Sequence, residues 1–112
     1  FSAGDCATVY NVVEERKVYM PLGTTANKQG RVAGIYIAGY HKERFSGIVG
    51  AQIAKAFGME FGKVGIDEKI ANQLGIEIDV ISTKYHTKSG YMMNNKTTFV
   101  RLYIDKKREI IV

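Results

Sequence analysis

The chain has 112 residues, a formal net charge of +5, 46% hydrophobic residues, 24% charged residues and one cysteine. This composition is typical of one folded soluble domain and excludes a disordered or low-complexity segment. A single cysteine excludes an intrachain disulfide and a cysteine-based zinc site, so we expect a reducing, cytoplasmic setting and no metal site. No apolar run approaches the roughly 20 residues that span a membrane.

Residues 1–20 predict a turn followed by a β pair. Gly4 and Asp5 follow a small apolar start, which is typical either of an ordinary turn or of a strand that ends at a binding site. Residues 12–15 and 17–20 are expected to form two short strands, which end at the only proline, Pro21.

Residues 24–38 predict a helix, with Thr24 or Thr25 as its N-terminal cap. Gly30 and Gly34 lie in its interior, where each costs about 1 kcal/mol relative to alanine. We therefore expect this face to pack close to another backbone or to a flat ligand.

From Phe45 onward the pattern changes to that of a compact α+β unit. Asp67 and Gly75 bracket a short apolar-periodic segment and predict a helix at 67–74. The remaining β-rich runs lie at 51–57 (a turn of helix is the alternative there), 59–64, 76–86, 97–104 and 109–112. The series predicts an antiparallel β-sheet with a short helix on one face, separated near residues 39–45 from the helix-containing part before it.

The positive charge is dispersed along the chain rather than gathered on one face. The one dense cluster, Lys106, Lys107 and Arg108, lies between two apolar runs and is typical of a hairpin turn. The aromatic residues do not alternate with Lys and Arg as a base-stacking platform requires, so no nucleic-acid partner is expected. A small basic module that binds nucleic acid is the alternative function.

Both ends of the sequence are unlike natural termini, which are usually polar. The chain begins with Phe1 before a run of small residues and stops in the apolar segment 110–112. We expect a piece of a longer protein.

Two motifs carry a resemblance to a known family. AGDCA at 3–7, followed about twenty residues later by PLGTTANKQGRVAG at 21–34, resembles the second FAD motif and following helix of pyridine nucleotide-disulfide oxidoreductases. Residues 45–75 resemble the interface domain of the branch that contains coenzyme A-disulfide reductases, NADH oxidases and NADH peroxidases. The resemblance implies that residues 1–40 end an FAD-binding domain and that residues 45–112 form a dimerisation domain, itself incomplete.

The resemblance also implies a cofactor site for FAD. Asp5, with Gly4, would accept hydrogen bonds from the ribityl chain. Backbone N–H groups at the helix start would face the pyrimidine edge of the isoalloxazine, because a helix N-terminus stabilises negative charge on a reduced flavin. The residues implied to lie against the ring are Leu22, Gly23, Thr24 and Thr25.

Tyr91 is the implied substrate-site residue. The segment SGYMMNN at 89–95 resembles the NYYPG-like loop of coenzyme A-disulfide reductases, in which a tyrosine pair reaches the substrate site of the second subunit. Met92 and Met93 replace the second tyrosine and the proline, which leaves coenzyme A disulfide, oxygen and peroxide all open as substrates. An ordinary exposed loop tyrosine is the alternative.

The family's catalytic cysteine lies near the N-terminus of the whole enzyme, so Cys6 is expected to be a small buried residue without a redox role. No GxGxxG follows a strand, so neither the FAD pyrophosphate site nor the NAD(P)H site of the family lies in this chain. The resemblance thus implies a homodimeric, FAD-dependent NAD(P)H oxidoreductase, of which this chain alone is expected to be inactive and to hold FAD weakly or not at all.

Overall fold

The computed structural model describes residues 1–112 and contains seven strands and two helices. Every strand pair is antiparallel, in two two-stranded sheets and one three-stranded sheet. The predicted α+β class is therefore confirmed. The chain divides into two compact units, Phe1–Gly65 and Ile66–Val112, and each is described by itself.

In the first unit, strand β1 (Val9–Asn11) pairs with strand β2 (Arg16–Val18). The buried Asn11 side chain shapes the turn between them, because its Oδ1 accepts from the backbone N–H of Val13 at 2.9 Å and of Glu14 at 3.3 Å. The predicted strand at 12–15 is therefore wrong: a local side chain takes the N–H groups that a strand ladder would use.

Helix α1 spans Gly23–Ile37, so the predicted helix is confirmed within a residue at each end. The expected cap is wrong, because the N-cap residue is Leu22 and no side chain caps the helix. A Cβ added at Gly30 or at Gly34 would meet nothing within 4 Å. The close neighbour expected for this face is therefore not supplied by this chain.

Residues 45–51 run beside strand β1. The backbone N–H of Ile48 donates to the Tyr10 carbonyl, and that of Val12 donates to the Ile48 carbonyl, both at 2.9 Å. The β3–β4 hairpin follows, with β3 at Gln52–Ala56 and β4 at Met59–Lys63. The expected boundary near residues 39–45 falls inside this compact unit and stays a prediction about the organisation of a longer protein.

The second unit begins with helix α2 (Glu68–Leu74), where the Asp67 carboxylate accepts from the Ile70 N–H at 3.0 Å and Gly75 ends the helix at φ 68°. These contacts confirm the predicted cap and stop. Strands β5 (Ile78–His86) and β6 (Thr97–Asp105) then form a nine-pair hairpin, and β7 (Ile110–Ile111) pairs with β6.

The turn from β6 to β7 contains the predicted cationic cluster. Buried Asp105 accepts at Oδ1 from the backbone N–H of Lys107 at 2.8 Å and of Arg108 at 2.9 Å, and at Oδ2 from the Arg108 guanidinium at 2.7 Å. The backbone and then the side chain of Arg108 lower the pKa of Asp105. The hairpin-turn prediction for this cluster is confirmed.

The chain buries few of its apolar side chains. Its accessible surface is 8881 Å², and its buried hydrophobic residues are Val9, Ile66, Ala71 and Val112. A folded monomer of 12.5 kDa exposes about 6,200 Å², and two separate globules of half that mass expose about 7,400 Å² in total. Roughly 1,400 to 2,700 Å² of surface is therefore in excess of what folded proteins of this mass leave to solvent.

Candidate functional site

The N-terminus of α1 is open to a ligand. Leu22 is extended, at φ −136° and ψ 128°, and there is neither a side-chain cap nor an acidic residue in the first turn. The first intrahelical bond at this end runs from the Ala26 N–H to the Leu22 carbonyl at 2.9 Å. The N–H groups of Gly23, Thr24 and Thr25 therefore point out of the helix, where its positive end favours an anion or an electron-rich carbonyl.

The Gly4 turn lies against the same helix. The Gly4 N–H donates to Oε1 of Gln29 at 2.8 Å, and a Cβ added at Gly4 would lie 3.6 Å from the Cβ of Ala26. Gly4 has φ +85°, which a residue with a side chain rarely adopts. Asp5 is exposed and its carboxylate makes no hydrogen bond or ion pair within the chain. The structure thus brings together two motifs that lie apart in the sequence.

A cleft of about 380 Å³ lies in front of this helix end. Leu22, Thr24, Thr25 and Lys28 line it from the helix side, whereas Gly4, Asp5 and Gly23 are not among its lining residues. The opposite wall is formed by residues 45–51 with Val12. Its size suits part of a flat ligand and is near the lower end of the range for small-molecule sites.

Sequence reasoning missed the wall at 45–51. Gly47 has φ +105°, and a Cβ there would lie 2.6 Å from the Tyr10 carbonyl oxygen. Gly50 has φ +76° and is buried. The available signal was this pair of glycines three residues apart ahead of a strand. Lys28, a cation on the cleft wall, was also missed and carries no local signature.

Tyr91 lies in the second unit, in the loop that joins β5 to β6, and is 88% exposed. Hydrogen bonds across the base of the loop hold it together. The Thr87 N–H donates to the Lys96 carbonyl at 2.8 Å, and the Lys88 N–H donates to Oδ1 of Asn95 at 3.2 Å. These hydrogen bonds join the two ends of the loop, and Tyr91 within the loop is exposed to solvent.

The segment of the hairpin that presents Tyr91 carries an excess of positive charge. Residues 80–104 contain no Asp or Glu. Lys84 lies 5.2 Å above the ring centroid of Phe99, so part of this charge sits against an aromatic face. The surface suits an anionic ligand. The basic residues of this segment are Lys84, Lys88, Lys96 and Arg101.

Cys6 is exposed, which contradicts the expectation of a buried residue. Its thiol donates to the Ala3 carbonyl at 3.4 Å. The structure contains no group of three or more His, Cys, Asp or Glu side chains arranged to hold a metal ion. Neither helix has the length and apolar character that crossing a lipid bilayer requires.

Comparisons with known proteins match the chain to parts of redox enzymes. No protein-family model matches it. It is 33% identical over 107 residues to a CoA-dependent NAD(P)H sulfur oxidoreductase of Pyrococcus furiosus, covering 96% of this chain and 24% of that protein. An NADH oxidase of Mycoplasma genitalium is 29% identical over 104 residues, covering 93% of this chain and 22% of that protein.

The fold agrees with these relatives. A solved structure of an NAD-dependent persulfide reductase from A. fulgidus matches with a TM-score of 0.93 at 26% identity, covering all of this chain and 21% of that one. The chain spans about a quarter of the length of the relatives that it matches. It is therefore a homologue of the C-terminal portion of the CoA-dependent sulfur oxidoreductases and NADH oxidases, in the pyridine nucleotide-disulfide oxidoreductase family.

Proposed function

We propose that the chain is the C-terminal part of an FAD-dependent NAD(P)H oxidoreductase of the coenzyme A-disulfide reductase or NADH oxidase type. Residues 1–40 complete the flavin site, and residues 45–112 pair two subunits. The observation that carries the proposal is the Gly4 turn, which is hydrogen-bonded onto α1 beside an uncapped helix N-terminus.

The residues present fit a flavin. When bound, FAD would supply the chemistry of hydride transfer between NAD(P)H and the substrate. The helix N–H groups would donate to the pyrimidine edge of the ring, and the carboxylate of Asp5 would accept from the ribityl hydroxyls. Lys28 on the cleft wall adds positive charge. The proposed cofactor residues are Gly4, Asp5, Leu22, Gly23, Thr24 and Thr25.

Tyr91 is proposed to contact the substrate bound by the second subunit. Its exposure at the end of a braced hairpin supports a role in a contact outside its own unit. The segment 80–104 that contains it has no Asp or Glu, and its excess positive charge favours a phosphate-bearing substrate, such as a coenzyme A disulfide, over oxygen or peroxide. The CoA-dependent enzyme of Pyrococcus furiosus supports the same choice.

Subunit pairing is supported by the surface that the chain leaves exposed. An excess of roughly 1,400 to 2,700 Å² of accessible area is large enough for contact with the rest of a longer chain and for the roughly 800 Å² that one partner contributes to a stable interface. The chain also lacks a GxGxxG motif, so it has no pyrophosphate-binding turn of its own. The isolated chain is therefore proposed to be inactive.

The test is the affinity of the intact protein for FAD after substitution of Asp5. Asp5→Ala should weaken FAD binding by about 10- to 100-fold, because a hydrogen bond to a charged group contributes about 1.5–3 kcal/mol. Asp5→Asn should fall between Asp5→Ala and the unsubstituted protein. Glu43→Ala removes an exposed carboxylate outside the proposed site and is the matched control. Unchanged affinity in Asp5→Ala, measured by flavin fluorescence titration, contradicts the assignment.

A further inference from the structure

Glu14 is a buried carboxylate that the proposed flavin site does not use. Its side chain is only 3% exposed. Both of its oxygens have partners: Oε1 accepts from Nδ2 of Asn11 at 2.9 Å, and Oε2 accepts from Nε of Arg16 at 2.8 Å. A carboxylate removed from water is a poor source of stability, because its desolvation offsets the attraction of its partners. Fixing one local arrangement of the chain is the better-attested role of such a group.

The arrangement that Glu14 fixes is the orientation of the Asn11 amide. Asn11 is 1% exposed, and its Oδ1 accepts from the backbone N–H groups of Val13 and Glu14. Rotating the amide by half a turn would bring its NH₂ group against those two donors. The Glu14 carboxylate opposes this rotation, because it accepts from Nδ2 and would repel Oδ1. Glu14 therefore holds the amide in the orientation that closes the turn.

Asn11 does not line the cleft but lies against the cleft wall. The residues on either side of it in β1 hold that wall: the Tyr10 carbonyl accepts from the Ile48 N–H, and the Val12 N–H donates to the Ile48 carbonyl. Gly50 lines the cleft, and a Cβ added to it would lie 3.7 Å from Nδ2 of Asn11. The position of the wall is therefore linked to the orientation of one buried amide.

We infer that Glu14 and Asn11 are positioning residues for the flavin cleft. Glu14 orients the Asn11 amide, and the amide keeps residues 45–51 in place opposite the N-terminus of α1. Neither side chain lines the cleft, so neither would touch the cofactor. The inference rests on the proposed flavin site and adds to it two residues that act through the wall.

Two substitutions of Glu14 in the intact protein separate positioning from a general loss of folding. Glu14→Ala removes the partner of Asn11 Nδ2, so the amide is free to rotate and the wall loses its fixed position. Glu14→Gln retains a carbonyl oxygen that accepts from Nδ2 and removes only the charge. The affinity for FAD, measured by flavin fluorescence titration, should fall by about tenfold or more in Glu14→Ala and clearly less in Glu14→Gln. Equal affinities in the two variants overturn the inference.

Arg16→Ala is the matched control. It removes the ion pair with Glu14 but leaves the hydrogen bond between Glu14 and Asn11, so it costs stability without releasing the amide. The affinity for FAD should therefore be retained in Arg16→Ala even though the free energy of unfolding falls. If the affinity instead follows the free energy of unfolding in all the variants, Glu14 and Asn11 are only structural and the inference is overturned.

Exchanging the donor and the acceptor gives a second test. Asn11→Asp keeps an oxygen for the two backbone N–H groups but places a second carboxylate against Glu14, so the affinity for FAD should fall. Adding Glu14→Gln lets the glutamine amide donate to this carboxylate, and the double variant should recover most of the affinity. Hydrogen exchange of the Ile48 amide should follow the same order, because that amide belongs to the wall. A double variant no better than Asn11→Asp contradicts the inference.

The failure of the wider proposal looks different. If the unsubstituted intact protein binds no flavin, the proposed function and this inference are both refuted. If it binds flavin and Glu14→Ala binds flavin as tightly, only the positioning role of Glu14 and Asn11 is refuted.

Discussion

Substituting Gly47 by alanine should open the cleft wall. The added Cβ would lie 2.6 Å from the Tyr10 carbonyl oxygen, closer than such atoms approach in proteins, and that oxygen belongs to backbone that cannot rotate away. Removing this clash between the Cβ and the carbonyl oxygen requires residues 45–51 to move away from β1. That movement would lengthen two hydrogen bonds of 2.9 Å, from the Ile48 N–H to the Tyr10 carbonyl and from the Val12 N–H to the Ile48 carbonyl.

The cost has two parts. A side chain at φ +105° is strained by about 1–2 kcal/mol. Loss of two backbone hydrogen bonds adds about 0.5–1.5 kcal/mol each. Gly39→Ala is the matched control, because Gly39 has φ +93° and an added Cβ there meets nothing within 4 Å. The hydrogen-bond cost should therefore be absent from the control.

Hydrogen exchange in the intact protein measures the difference. Gly47→Ala should lower the protection of the Val12 and Ile48 amides by about 10- to 100-fold, whereas Gly39→Ala should leave both unchanged. The affinity for FAD should fall in Gly47→Ala as the cleft wall moves. Equal protection of these amides in the two variants would refute the steric argument and the importance of the wall.

Tyr91→Phe in the intact enzyme should impair turnover of a coenzyme A disulfide by about tenfold or more if the hydroxyl acts in the substrate site, and unchanged kinetics would remove that role. Because folding lowers the pKa of Asp105, its carboxylate contributes its full stabilisation at pH values above about 4, the pKa of an unfolded aspartate. This stabilisation is lost as the pH falls through the lower pKa of the folded state. Asp105→Asn should therefore remove that part of the acid dependence of unfolding, and an unaltered acid limb would argue against it. Asp67→Ala should destabilise α2 by about 1 kcal/mol and Asp67→Asn by less, as followed by exchange of the Ile70 amide; equal effects would mean that the cap is unimportant.

The parts of the fold predicted correctly have local causes. Asp67 and Gly75 define α2 through bonds that reach only three or four residues, and the β-rich runs that form β5 and β6 extend over nine residues each. The first strand was misplaced because Asn11 competes for backbone N–H groups through its side chain. Neither the composition nor the hydrophobic periodicity of the sequence reveals that the Asn11 side chain binds these N–H groups.

The site was predicted only on its helix side. Leu22, Thr24 and Thr25 carry the signature of a helix start, and the structure confirms that start one residue earlier. The facing wall at 45–51 is brought there by backbone bonds to β1 from residues more than thirty positions away. Such long-range contacts produce no periodic pattern in the sequence, so Gly47 and Gly50 were the only sequence features that pointed to this wall.

The visible absorption spectrum of the purified intact protein tests the central claim most directly. The account predicts about one bound flavin per chain, whose absorbance bleaches when NADH or NADPH is added without oxygen. A protein that folds without flavin, or whose flavin neither nucleotide reduces, would contradict the account.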